Sequence, residues 1–128
     1  MKKNYLLAFE LAEAEYENIR NDPDDIQRIS DTTGKDIDII SRVKTHIFYA
    51  EHDITYQDGS VVRKRLDEDP EIVNSWVRLR EDCCIQSDHD FIAHEERESY
   101  LVIFQGMGYN EAHKLTISEG LTWCPGGE

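Results

Sequence analysis

Apolar residues recur three and four positions apart along most of this chain, the spacing of one helix face, and the pattern is interrupted at Gly, Pro and acidic clusters. The first run covers residues 3–20, with Leu7, Leu11, Ala14 and Ile19 in register and Leu6, Phe9 and Tyr16 nearby. Met1 to Phe9 mimics the start of a signal peptide, but Glu10, Glu13 and Glu15 break its apolar core, so an amphipathic helix is expected. Asn21-Asp22-Pro23 stops that helix. Asp22 suits the N-cap of a second helix over 23–32, with Pro23 at its first position, Asp24 and Asp25 at the positive end of its dipole, and Ile26 and Ile29 inward. Thr33-Gly34 breaks the chain again, and Asp36 starts a third helix with Ile37, Ile40, Val43, Ile47 and Phe48 on one side.

From Glu51 the period shortens. Ile54-Thr55-Tyr56 and Val61-Val62-Arg63 flank Gln57-Asp58-Gly59-Ser60, and Asp-Gly between β-formers predicts a hairpin. Two strands alone are marginal, so the hairpin must dock on the helices. A fourth helix is predicted over 70–81, with Ile72, Val73, Trp76 and Leu79 inward. Ser87 or Asp88 then caps a central helix through Phe104, Gly106-Met107-Gly108 ends it, and Asn110 opens a last helix through Ser118. These elements make a mainly α fold: about six helices and one small β-hairpin in a single domain over 1–120, followed by a flexible tail over 121–128.

Composition narrows the function classes. A formal charge of −13 argues against direct binding of nucleic acid or an anionic membrane, and suits a cationic partner or a divalent metal. Two helices with helix-turn-helix spacing precede His46, but Arg42 and Lys44 are outweighed by acids, so a packed helical hairpin is expected in place of a DNA reader. No apolar run reaches the roughly 18 residues of a membrane span. Cys83, Cys84 and Cys124 are odd in number and two are adjacent, which suits reduced thiols in a cytoplasmic setting, with Cys83 and Cys84 expected in the core.

Candidate chemistry concentrates in the central helix. At helical spacing His94 and Glu98 share one narrow sector with Phe91, Leu101 and Val102, which places ionisable groups on an apolar face. Burying such groups costs several kcal/mol unless something meets them there, such as a metal ion or a polar cluster. With Glu95 the pattern is His-Glu-x-x-Glu, one residue from the zinc motif His-Glu-x-x-His. The sharper reading makes His94, Glu98 and His113 ligands of a divalent metal, zinc or manganese. Glu95 is then the base that activates water, with His52 auxiliary. The plainer reading makes His94 and Glu98 an i,i+4 pair, with His46 and His113 as hydrogen-bonded core or boundary residues.

Several segments taken together resemble a known domain: DDIQRISDTTGKDIDIISRVKTHIF ending at Phe48, Glu51-His52-Asp53, Ser75-Trp76-Val77-Arg78-Leu79, His94-Glu95-x-x-Glu98, and Gly106 to His113. In this order they are similar to a C-terminal domain of phage minor head proteins and polymorphic-toxin-like proteins, over roughly residues 16–115. The resemblance implies a phage- or prophage-related protein, cytoplasmic or virion-associated, with His46, His52, His94, Glu95, Glu98 and His113 among the shared positions. It implies no particular reaction. The expectation is an effector-like metal-dependent hydrolase. The alternative is a non-enzymatic protein: a virion accessory that docks on a basic protein or phage head component, or an acidic immunity-type inhibitor.

Overall fold

A computed structural model describes residues 9–125. In order, it shows α1 (Phe9–Arg20), α2 (Asp25–Thr33), α3 (Ile37–Lys44), a π-helical turn (Thr45–Tyr49), the strands β1 (Glu51–Thr55) and β2 (Val61–Arg65), then α4 (Pro70–Arg80), α5 (Gln86–Ile103) and α6 (Tyr109–Ser118). The mainly α domain with one hairpin is the expected architecture. The predicted start of the first helix and the last three residues of the tail lie outside the described residues.

The core is built where helix faces meet, around Tyr16, Ile29, Ile40, Val43, Ile47, Phe48, Val73, Trp76, Leu79, Phe91 and Ile92. On α1 the buried stripe is Ala12, Tyr16 and Ile19, whereas Leu11 and Ala14 face solvent. Tyr16 explains the rotation: its ring meets Phe48 edge-on at 4.8 Å and its hydroxyl accepts the Asp69 backbone N–H at 3.0 Å. An aromatic with a polar tip is best placed where both ends find partners.

Helix α2 starts at Asp25, later than the expected Pro23. Asp22 accepts the Asp24 N–H at 2.9 Å and turns its carboxylate to Arg80 instead of capping further in. Asp25, expected at the positive end of the α2 dipole, is wholly buried between the Lys44 ammonium at 2.7 Å and the Trp76 indole N–H at 3.0 Å. Gly34 ends α2 at φ 76°, a left-handed geometry that side chains with a Cβ rarely adopt.

The hairpin pairs Glu51 with Arg65 and Ile54 with Val62. It docks through Asn110, whose side chain accepts the Thr55 N–H at 2.9 Å and donates to the Thr55 carbonyl at 3.2 Å. Asp69 caps α4 by accepting the Glu71 N–H at 2.9 Å, with Pro70 as the first helical residue. Asp88 closes the first turn of α5 from inside, accepting the Ile85 N–H at 3.0 Å, and the same carboxylate holds Ser75 Oγ and Arg78.

All three cysteines are free thiols; Cys83 and Cys124 are exposed, which corrects the expected core placement of Cys83, and Cys84 is half-buried against the core. Cys83 and Cys84 lie just past α4, after Asp82 at φ 58°. Cys84 Sγ does lie 3.3 Å from His89 Nε2, but burial and the Asp88 charge push its pKa up, away from a reactive thiolate. Leu121 and Trp123, assigned by sequence to the tail, are held against the body. Trp123 packs tilted against Phe91, with ring centroids 4.8 Å apart. Among the described residues no helix is long and apolar enough to cross a membrane.

Candidate metal centre

Three segments distant in sequence meet at one buried point. Helix α5 contributes His94, Glu95 and Glu98 from its inward face, α6 contributes His113, and the π-helical turn contributes His46. The turn matters to the last of these. The Ala50 N–H reaches back five residues to the Thr45 carbonyl at 2.8 Å, and the widened turn places His46, Ile47 and Phe48 inside together.

Glu98 is the hub. Its Oε1 accepts from His46 Nε2 at 2.8 Å, and its Oε2 from His94 Nε2 at 3.0 Å and from His113 Nδ1 at 2.7 Å. Burial alone would hold the proton on this carboxyl, but hydrogen bonds from His113, His46 and His94 outweigh it and keep Glu98 well below the usual carboxylate range. Burial likewise opposes charge on His94, yet the Glu98 hydrogen bond and the Glu95 charge win and raise its pKa to about 9. Glu95 goes the other way: burial, then the Glu98 charge, push its pKa well above normal. Its Oε1 is buried with no hydrogen-bond partner among the described residues and lies 3.7 Å from His46 Nε2, while Oε2 lies 3.9 Å from His94 Nε2.

The surroundings aim these donors. His94 Nδ1–H donates to the Leu121 carbonyl at 2.7 Å, which leaves Nε2 to face Glu98. Tyr109 lies nearly parallel to His113, with ring centroids 5.7 Å apart, and its ring is 6.3 Å from that of His46 and 5.5 Å from that of His52. His113 is 41% exposed in its side chain, so the cluster has one edge open to solvent. A cavity of about 230 Å³ lined by His52, Arg63 and Tyr109, and another of about 270 Å³ lined by Asp69, Ile72 and Tyr109, both reach Tyr109, and neither is lined by a residue of the cluster itself. A larger cavity of about 490 Å³ beside Arg42, Arg97 and Tyr100 opens on another face of α5 and does not touch the cluster.

The residues predicted as ligands, His94, Glu98 and His113, are therefore brought together, and Glu95 sits beside them. In that trio and in a second group, His46 with Glu95 and Glu98, one ligand atom from each residue lies within 4.8 Å of the others, a spacing compatible with a metal ion. The chain matches no family model, no curated protein and no solved structure. His52, assigned an auxiliary role, is buried close by but directs Nε2 to the His46 carbonyl at 2.8 Å. Burial lowers its pKa, which favours the neutral ring. Its visible part is to fix the backbone of His46, with the two rings edge-on at 4.7 Å.

His46 and Tyr109 are the residues that the predicted ligand and base set left out. A histidine directly before Ile47 and Phe48, inward positions of the predicted third helix, was the available signal for His46, since a buried imidazole needs a polar partner. Tyr109 had no comparable signal.

Proposed function

We propose that this chain is a divalent-metal-dependent hydrolase, with the ion held by His94 Nε2, His113 Nδ1 and Glu98, and with Glu95 as the proton acceptor. The supporting observation is the convergence of two imidazoles and a carboxylate from α5 and α6, with ligand atoms all within 4.8 Å of one another and an open edge at His113. Two His and one Glu form a donor set of catalytic zinc sites that keep a position for water, and manganese also accepts mixed nitrogen and oxygen ligands. A bound ion supplies a Lewis acid and a water of lowered pKa. Glu95 follows His94 directly in the chain and has one unpaired buried oxygen, which suits it to take that water's proton. The reaction class is hydrolysis at a carbonyl or phosphoryl centre. The phage- or prophage-related setting rests on the sequence resemblance alone.

One observation favours a second reading. Glu98 already has three imidazole partners, so the network can stand as structure. The protein would then be a non-enzymatic component that docks through its acidic surface on a basic protein or phage head component. Metal analysis of protein purified without added metal or chelator separates the two. The hydrolase reading expects at least one ion per chain, a thermal shift with zinc or manganese, and loss of both in His94→Ala and His113→Ala. A metal content near zero with no thermal shift selects the structural reading.

A further inference from the structure

The shared carboxylate gives the cluster two halves. Glu98 turns Oε1 to His46 and Oε2 to His94 and His113. Glu95 is split in the same sense, with Oε1 nearest His46 and Oε2 nearest His94. Two carboxylates one helical turn apart therefore each present one oxygen to either side, while the imidazoles are divided, one on the first side and two on the second.

From this geometry we infer that the cluster is a dinuclear centre: a second divalent cation is held by His46 Nε2, Glu95 Oε1 and Glu98 Oε1, with Glu98 bridging the two ions. The inference rests on the reading of His94, Glu98 and His113 as the first seat, and in the doubly loaded protein Glu95 becomes a ligand.

Three observations carry the second seat. Its ligand atoms lie within 4.8 Å of one another. His46, Glu95 and Glu98 are each at least nine-tenths buried, so the seat is built into the core. Glu95 Oε1 is left without a partner there, an arrangement a fold rarely keeps unless something completes it. The π-helical turn adds a local argument, because such turns cost hydrogen-bond regularity and recur where a side chain must be re-aimed. Bridging carboxylates hold paired ions about 3.5–4 Å apart, a spacing that clamps the attacking and leaving oxygens of a displacement. Imidazole suits zinc and iron and carboxylate suits manganese, so the mixed set admits each of these ions, and Mn²⁺ is the probe whose spin reports a second ion.

The test loads chelator-stripped protein with Mn²⁺ under equilibrium dialysis and records its electron paramagnetic resonance. The expected result is two ions per chain with a spin-coupled spectrum, whose hyperfine spacing is half that of an isolated ion. Glu95→Gln, which keeps side-chain shape, is expected to hold one ion with an uncoupled spectrum. His46→Ala is expected to do the same, with folding checked by circular dichroism. One ion per chain in the unaltered protein overturns the dinuclear centre and leaves the first seat standing. No bound ion overturns both readings. Two coupled ions in Glu95→Gln overturn the ligand set proposed for the second seat.

Discussion

His94 and Leu121 are joined by a 2.7 Å hydrogen bond from the imidazole Nδ1–H to the backbone carbonyl. That bond fixes which ring nitrogen faces Glu98, and it ties the segment after α6 to the cluster. A chain ending at Gly120 is therefore expected to bind metal about 10–100-fold more weakly, the usual effect of losing a partner that orients a ligating histidine. Competition with a chromophoric chelator measures it; unchanged affinity would show that the carbonyl does not orient the ring.

Removing Glu98 and removing one of its partners should differ in cost. In chelator-stripped protein, Glu98→Ala leaves His46, His94 and His113 without their acceptor, but imidazoles can shed protons. The loss is then about 1–3 kcal/mol, as for unsatisfied buried polar groups. His94→Ala leaves Glu98 its bonds from His46 and His113, so it should cost less. Urea unfolding of both variants gives the order, and the reverse order would mean that the carboxylate is not the hub.

Stability in chelator-stripped protein should follow the two linked titrations. His94 is raised from 6.5 to about 9, so its contribution is complete below 6.5 and disappears as pH rises through 9. Glu98 is lowered from 4.5, so its contribution is present above 4.5 and is lost as pH falls through the depressed value. His94 and Glu98 together therefore stabilise most between 4.5 and 6.5. Metal affinity should run the other way on the alkaline side, strengthening up to about pH 9 as the competing proton leaves His94. Unfolding and binding measured across this range check both signs; metal affinity that is flat with pH would contradict the protonated state assigned to His94.

Asp88 is expected to be the most sensitive carboxylate outside the cluster. It accepts from Arg78 Nε and Nη2, each at 2.8 Å, from Ser75 Oγ at 2.6 Å and from the Ile85 N–H at 3.0 Å. Asp88→Ala strands a buried guanidinium that cannot deprotonate, at a cost of about 3–5 kcal/mol. Thermal unfolding tests this, with the exposed Arg63–Asp53 pair as the contrast, for which Asp53→Ala should cost under about 1 kcal/mol.

Much of the local structure was legible because it depends on neighbours in the chain. The hairpin at Asp58-Gly59 and the Asp69-Pro70 start of α4 are signalled within a few residues, and so is the inward placement of His94 and Glu98. Helix register was less legible where a distant partner decided it. Tyr16 turns α1 toward Phe48 and Asp69, and Asp25 leaves solvent for Lys44 and Trp76.

The sequence by itself determined that two ionisable residues share an apolar face of α5, since helical spacing is a local property. It could not determine what they meet. That depended on α6 crossing α5 to bring His113 to one oxygen of Glu98, and on a π-helical turn that aims His46 at the other. Hydrogen bonds between residues fifteen and fifty-two positions apart are set by packing, and periodicity along a single helix carries no record of them.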